Sequence, residues 1–308
     1  MVKNNISIII PVFGKLDLLK KCLKAINDSD FWSEYKGEII IVNNSPKKLK
    51  KPDFTKRLFS KLSCKIINNK ENLGFAKACN QGIKVSKGKL ILFLNSDVYV
   101  QKNTITKLFK FINRRKKIAV AAPRLFLNNN FKTSQPYQYD YFPNPLKELI
   151  GTIFSIFYQK TKIIFFKKLA SFFDMNLLKI NKAKAVDWIS GAALMVKKDV
   201  LEKIGGFDEN FFFYLEDVDL QKRIKKLGYQ VWLLPFAKAV HQWGGSISKS
   251  KVKSFYHAAK KIYYRKYYNH FSRLLFFVAE KIKNLVWTVF LKKKSVNSYQ
   301  LPIIYLEE

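Results

Sequence analysis

Three carboxylates fall within four positions at Glu216-Asp217-Val218-Asp219, directly after the aromatic run Phe211-Phe212-Phe213-Tyr214. The chain carries 22 acidic residues against 57 basic ones, so such a cluster stands out. Val218, Ile224 and Leu227 then recur at helical spacing, and Gly228 reads as the stop. Glu216 and Asp217 therefore sit at a helix N-terminus with an apolar wall behind them. They serve either as a general base on the floor of a site or as acids favoured by the positive end of the helix macrodipole. A further carboxylate, Asp97, closes the run Leu92-Phe93-Leu94-Asn95-Ser96-Asp97. At the carboxyl edge of a sheet it can hold Mg2+ or Mn2+ on a diphosphate, or it is an ordinary turn residue. His241, one of three histidines, stands at a strand end before Gly244-Gly245. Its neutral imidazole is a good ligand for a divalent metal, while a lone histidine is more often structural.

Two more stretches carry possible chemistry. Asn72-Leu73-Gly74-Phe75 opens a helix that runs on through Asn80. Gly74 lets backbone approach a ligand there, and free N–H groups at a helix start suit phosphate; an ordinary glycine-started helix has the same pattern. In Asp187-Trp188-Ile189-Ser190-Gly191-Ala192 an aromatic face lies beside a glycine turn. A Trp face can stack on a sugar ring, and a buried core position is its commoner fate.

The elements that must position these residues follow from periodicity. Short apolar, β-branched runs predict strands at Ile6–Phe13, Glu38–Val42, Cys64–Ile67, Leu90–Leu94 and Ile118–Ala122. Helical spacing falls between them at Leu16–Ile26, Phe54–Leu62, Phe75–Val85 and Thr104–Ile112. Alternation of this kind predicts an α/β fold of three layers around a largely parallel sheet, with ligands beyond the carboxyl ends of the strands. Asn43-Asn44-Ser45 and Asn95-Ser96-Asp97 lie at those ends. Region 128–182 breaks the pattern and reads as a loop followed by one or two basic, apolar helices. Two strand-like runs joined at Ser190-Gly191 span Ala185–Val196, a helix covers 217–227, and strands follow at Val231–Leu234 and Ala237–His241. From about residue 250 the chain reads as helical. The expected division is a catalytic domain over 1–249, with a helical insertion at about 128–182, and a basic amphipathic helical region over 250–308.

Composition narrows the classes. The 308 residues are 48% hydrophobic, enough for a sizeable core, and the net charge is +35. That charge points to an anionic partner: nucleic acid, an anionic membrane or phosphorylated substrates. Cys22, Cys64 and Cys79 show no paired spacing, which argues against a disulfide scaffold or zinc site and for a reduced, cytosolic setting. No signal peptide is expected. Lysines and a glutamate interrupt the apolar regions 149–166 and 271–291, so neither is a membrane span. A basic nucleic-acid-binding protein would account for the charge, but no helix-turn-helix, zinc-finger or RNA-binding signature is present and the acidic cluster would go unexplained.

Taken in order, Ile-Pro-Val-Phe-Gly, Val-Asn-Asn-Ser, Asn-Leu-Gly-Phe-Ala, Leu-Asn-Ser-Asp, Trp-Ile-Ser-Gly-Ala, Glu-Asp-Val-Asp-Leu and His followed by Gly-Gly-Ser resemble the family 2 glycosyltransferases of GT-A fold. The likeness spans about residues 5 to 270, and it is nearest to the bacterial rhamnosyltransferase-like branch. The resemblance implies an inverting, metal-dependent transfer from a dTDP- or UDP-sugar, such as a rhamnose donor, to a surface glycan or lipid-linked acceptor. It implies that Pro11, Val12 and Phe13 border the nucleotide, and that Asn72, Gly74 and Asn80 shape the base and ribose pocket. Asn43 stands where the family usually has an Asp that reads the uracil or thymine ring; its amide oxygen can still accept the imide N–H. Asn95-Ser96-Asp97 stands for the metal motif with its first acid replaced, leaving Asp97 as the main carboxylate ligand for Mg2+ or Mn2+ and His241 as a second. Trp188, Ser190, Gly191 and Ala192 would face the acceptor. Asp217 would be the catalytic base, with Glu216 beside it. Because Asn43 and Asn95 depart from the family pattern, a nucleotide-sugar-binding protein with a degenerate site is a competing reading.

Location follows from the tail. Phe271, Leu274, Leu275, Val278, Ile282, Leu285, Val286 and Val289 form one apolar stripe at helical spacing, with Lys281, Lys283 and Lys292-Lys293-Lys294 at its flank and end. Such a helix can lie in the headgroup layer of an anionic membrane, or pack on the catalytic domain. The expectation is a peripheral protein on the cytoplasmic face of the cell membrane.

Overall fold

The computed structural model describes residues 5–14, 16–50, 63–173, 175, 180–242, 249–274, 277, 278 and 281. The expected helix at Phe54–Leu62, the turn Gly244-Gly245-Ser246 and the tail beyond 281 lie outside the described residues. Contacts divide the chain into two units: residues 1–139 with 180–247, and residues 140–179 with 248–308.

In the first unit the elements run β1 (Ile6–Val12), α1 (Leu16–Asn27), α2 (Phe31–Glu34), β2 (Gly37–Asn43), β3 (Ser63–Asn68), α3 (Phe75–Val85), β4 (Leu90–Leu94), β5 (Val98–Val100), α4 (Thr104–Asn113) and β6 (Ile118–Phe126). The short β7 (Tyr139–Asp140) stands at the boundary with the second unit, which holds α5 (Pro145–Thr161) and α6 (Ile164–Ser171). The first unit resumes with β8 (Lys184–Val186), β9 (Trp188–Ile189), β10 (Ala193–Lys197), α7 (Lys198–Lys203), α8 (Glu216–Lys226) and β11 (Gln230–His241), and α9 (Lys249–Tyr267) lies in the second.

The main sheet has the order β3-β2-β1-β4-β10-β6-β11-β5, with β8 on β11. Strands β3, β2, β1 and β4 are parallel neighbours; β10 runs antiparallel between β4 and β6, and β11 is parallel to β6. This is the mostly parallel mixed α/β sheet that the alternation predicts. Side chains of a strand alternate between faces. Ile6, Ile8, Ile10 and Val12 of β1 join Leu19, Cys22, Leu23 and Ile26 of α1 in one buried cluster, whereas Ile9 lies against Gly82 of α3. Helices thus cover both faces of β1, and the apolar run in the sequence reflects burial on both sides.

Several expectations change. Strand β6 extends four residues beyond Ala122 because β11 pairs with it along its whole length. The two strands expected around Pro235-Phe236 are one, β11, with a register shift between Leu234 and Lys238. Proline donates no ladder hydrogen bond and is tolerated at such an irregularity. The runs at 185–196 are three strands, not two. Leu227, expected on the apolar face of its helix, is the exposed C-cap of α8; Gly228 follows at φ +83°. α2, β5 and α7, each six residues or fewer, gave no readable periodicity.

In the second unit, Asn144 caps α5 through its side-chain oxygen and Pro145 sits at the first position. Glu148 of α5 meets α9: Lys260 Nζ donates to one carboxylate oxygen and Tyr264 Oη to the other, each at 3.0 Å. No described helix is long and apolar enough to cross a membrane.

Candidate active site

Asp217 stands in the first turn of α8, half-buried. Its Oδ2 accepts the Gly191 N–H at 2.6 Å and its Oδ1 accepts its neighbour Val218 N–H at 2.8 Å. A Cβ at Gly191 would lie 3.1 Å from the Asp217 Cβ, so a larger residue there would crowd this approach. Burial pushes the Asp217 carboxyl above its ordinary value, and the two backbone N–H groups oppose that rise. Glu216 points inward and is buried, and its Oε2 has no hydrogen-bond partner. Burial and the adjacent Asp217 push its carboxyl well up, so it favours the neutral form. Asp219 is spent on structure: Arg223 Nε donates to its Oδ2 at 2.8 Å, one helical turn away.

The backbone entering α8 is strained. Tyr214 and Leu215 hold φ +75° and +61°, the left-handed region that side-chain-bearing residues avoid. Such residues cost about 1–3 kcal/mol each and persist where the surroundings over-determine them. Two of the devices that hold this loop are visible. Phe75 N–H donates to Phe212 O at 2.9 Å, and Gly74 (φ +85°) leaves room for that carbonyl. Asn80 donates to Phe207 O and Glu209 Oε1 and accepts from Phe207 N–H, all at 2.9 Å.

Asp97 follows β4, and its Oδ1 lies 3.2 Å from His241 Nε2 at the end of β11. The other ring nitrogen, Nδ1, lies 2.7 Å from the buried Gln135 Oε1. With the proton on Nε2 the imidazole donates to the Asp97 carboxylate; with the proton on Nδ1 it donates to Gln135, and Nε2 is left to bind a metal ion beside that carboxylate. One imidazole nitrogen and one carboxylate oxygen suit Mg2+ or Mn2+, with coordination positions left for phosphate oxygens and water. Among the described residues no cluster of three or more His, Cys, Asp or Glu side chains could hold a metal unaided. The residues therefore fit a cation shared with a substrate.

These two corners are joined. Asn95 N–H donates to Ala192 O at 2.9 Å, which ties the residue after β4 to the turn that precedes β10, and Gly191 of that turn holds Asp217. Gln221 clamps the same turn from behind: it accepts from Ile189 N–H at 2.9 Å and donates to the Ile189 and Asp217 carbonyls. Trp188 and Ser190 are half-buried beside it. Asp97, His241, Asn95, Ala192, Gly191 and Asp217 thus form one contact path.

The nucleotide-side residues divide. Pro11 is half-buried, Val12 buried and Phe13 exposed at the carboxyl end of β1. Asn43 is fully buried: its amide donates to Lys47 O and Asn68 Oδ1, and its Oδ1 accepts Ser45 N–H. An amide so enclosed ties the β2 turn together and is not presented to a base. Asn80 holds the loop that leads to α8. Gly74 receives the Phe212 carbonyl. Asn72 is exposed and accepts Gly74 N–H at 3.0 Å in a local turn. In each case the polar group finds its partner within the chain, which local sequence does not reveal. The sequence reading missed the buried Gln135 and Gln221 and the half-buried Asn69 and Gln81; Gln135 and Asn69 lie outside the periodic runs, so nothing in the local pattern marks them. Asn69 and Gln81 exchange a pair of side-chain hydrogen bonds, and Asn69 also donates to Asn44.

The Asp97–His241 pair lies toward the carboxyl ends of the strands, where ligands bind in α/β sheets of this kind. The family profile described as Glycosyl transferase family 2 matches residues 7–184, more than half of the chain, and the chain belongs to that family. A profile described as N-terminal domain of galactosyltransferase matches residues 174–258. Rhamnosyltransferase WbbL of Escherichia coli (strain K12) is 26% identical over 246 residues, 76% of this chain and 82% of that protein. An N-acetylglucosaminyl-diphospho-decaprenol L-rhamnosyltransferase of Mycobacterium tuberculosis is 41% identical over 58 residues, but the match spans only 19% of either chain. Among solved structures, GalNAc-T7 with UDP, GalNAc and Mn2+ superposes at a TM-score of 0.60 with 17% identity, over 85% of this chain and 48% of that one. The mannosyltransferase PcManGT from Pyrobaculum calidifontis, in complex with GDP-Man and Mn2+, gives 0.54 with 13% identity over 94% and 76%. These structural likenesses are of fold, and the fold is GT-A. The expected family and its rhamnosyltransferase-like character both hold.

Proposed function

We propose that this chain is an inverting glycosyltransferase that moves a sugar from a nucleoside diphosphate to a hydroxyl of a glycan or lipid-linked glycan precursor. The observation that supports it most is the contact path from Asp97–His241 through Asn95–Ala192 to Gly191–Asp217. It links the Asp97–His241 pair, read here as the cation holder, to Asp217, read here as the base. Pro11, Val12 and Phe13 border the nucleotide in this reading, and Trp188, Ser190, Gly191 and Ala192 face the acceptor. The rhamnosyltransferase relatives favour rhamnose or a similar sugar, carried on dTDP or UDP.

Asp217 accepts the acceptor hydroxyl proton as the new bond forms, a role worth ~10²–10⁴ in rate. Burial raises its basicity, while the Gly191 and Val218 N–H groups aim its oxygens and keep the charged form accessible. Burial and the neighbouring Asp217 push the Glu216 carboxyl up, which disfavours a second charge in the site. Asp97 and His241 would hold Mg2+ or Mn2+. Such a cation supplies Lewis-acid stabilisation of the leaving diphosphate.

The location proposed is the cytoplasmic face of the cell membrane, reached through the tail. Phe271, Leu274 and Val278 of its stripe are described and exposed. Flotation of the full chain against a chain ending at Asn269 tests this; equal flotation of both returns the tail to a packing role.

The function itself is tested by thermal shift with a panel of dTDP-, UDP- and GDP-sugars, with Mn2+, Mg2+ or chelator. A donor at a hundredfold its Kd stabilises by about 2.7 kcal/mol. No shift with any nucleoside-diphosphate sugar, with or without metal, sinks the reading.

A further inference from the structure

The second unit carries a feature that the sugar-transfer chemistry leaves unused. α5 ends at Lys162, whose left-handed backbone (φ +58°) turns the chain directly into α6. The Lys162 N–H closes the turn on Tyr158 O at 2.7 Å, and Ile163 N–H donates to Thr161 Oγ1 at 3.2 Å. The two helices are held as a hairpin by stacking of Phe157 on Phe166 at 5.3 Å and by Gly151, where a Cβ would come within 2.9 Å of Phe173. The geometry is therefore fixed from behind. At the tip, Ile163, Ile164 and Phe165 are 51%, 65% and 60% exposed, three consecutive large apolar side chains in the solvent. An apolar cluster of this kind on a protein surface marks an interaction site.

Charge says what the partner is. Residues 145–172 contain five lysines, at 147, 160, 162, 167 and 168, and one carboxylate, Glu148, for a net +4. Glu148 is already engaged by Lys260 and Tyr264. Lys162 and Lys167 bracket the apolar tip, and both ammonium groups lie over the Tyr158 ring, at 5.8 and 5.7 Å from its centroid. Lysines set just behind an apolar tip match the layering of a bilayer surface, with acyl chains below and anionic phosphates above. A second copy of this chain fits poorly, because a basic tip would meet another molecule of net charge +35.

We propose that the α5–α6 tip, Ile163-Ile164-Phe165 flanked by Lys162, Lys167 and Lys168, inserts into the interfacial layer of anionic phospholipid. This rests on the membrane-surface reading above but assigns the contact to a different element from the tail. The experiment is vesicle flotation of the full chain with phosphatidylglycerol–phosphatidylcholine vesicles and with phosphatidylcholine alone. The variants are Ile164→Asp/Phe165→Asp and Lys167→Gln/Lys168→Gln. Because these side chains are exposed or only partly buried, both variants should keep the wild-type melting temperature and donor-induced thermal shift. The aspartate pair is expected to lower partitioning onto the mixed vesicles at least tenfold. Each lysine removed is expected to cost about fivefold, from ~1 kcal/mol per Lys near an anionic leaflet, and nothing on phosphatidylcholine alone. Undiminished flotation of the aspartate pair overturns the tip and leaves the tail as the anchor. Absence of wild-type flotation at low salt overturns both. A concentration-dependent dimer that the aspartate pair breaks, with vesicle binding unchanged, makes the tip a contact between copies and also overturns the proposal. The donor-induced shift reports separately on the sugar-transfer reading.

Discussion

Two polar corners lie at the carboxyl ends of the strands, and they treat their polar groups in opposite ways. In the corner of β2, β3 and α3, Asn43, Asn44, Asn68, Asn69 and Gln81 bond to one another and to nearby backbone. In the corner of β4, α8 and β11, Asp97 lies 3.2 Å from His241, Glu216 Oε2 is buried without a partner, and Tyr214 and Leu215 are strained. A satisfied network rigidifies, and a buried polar group left unsatisfied is costly and retained where it has a use. The first corner is a frame and the second is where the chemistry is proposed. Substitutions in the two should therefore fail differently.

The largest effect is expected from Asp217→Asn. It should lower turnover by at least ~10²-fold with donor affinity nearly unchanged, because the base acts on the acceptor. Retention of a tenth of wild-type turnover would remove Asp217 from that role. Next come Asp97→Ala and His241→Ala, which should weaken Mn2+ binding and metal-dependent donor binding together, read by Mn2+ titration and donor calorimetry. Gln135→Leu, which touches only the far side of the imidazole, should weaken the metal by ~10–100-fold; an unaltered Mn2+ affinity would make Gln135 a packing residue. In the frame, Asn44→Ala should instead lower stability by ~1–3 kcal/mol in denaturant unfolding, with turnover of the folded fraction preserved.

The smallest effect sharpens the comparison most. The Asp217 carboxyl is raised by burial, so turnover should rise with pH through a value above the ordinary carboxylate range. Glu216→Gln should leave that limb in place, because burial and Asp217 push the wild-type carboxyl toward its neutral form; a displaced limb would mean that Glu216 carries charge there. Stability gives the complementary reading. The folded value of Glu216 lies above its unfolded value. Its contribution is complete below the unfolded value and is lost as pH rises through the folded one. Glu216→Gln should remove that loss with rising pH from the unfolding free energy.

The sequence by itself determined the strands and helices with a full period of apolar residues. Phe75–Val85 and Leu90–Leu94 were legible to the residue, because burial on a sheet or helix face imposes a period on the side chains. It also determined the family, since ordered motifs survive in the chain. Only the tertiary structure decided which polar residue does what. Asn43, Gly74 and Asn80 read as ligand contacts in the sequence, and each also has a partner within the chain that periodicity does not show: Asn80 meets Phe207 across 127 positions and Asn43 meets Asn68 across 25. Asp217 and Asp219 are chemically alike in the sequence, yet one meets a glycine turn 26 residues away and the other an arginine four residues on. Within the unit of 140–179 and 248–308, Glu148 meets Lys260 across 112 positions, a contact of the same kind. Periodicity is a local property that any short window displays, whereas the partner of a polar group is set by the crossing of distant segments.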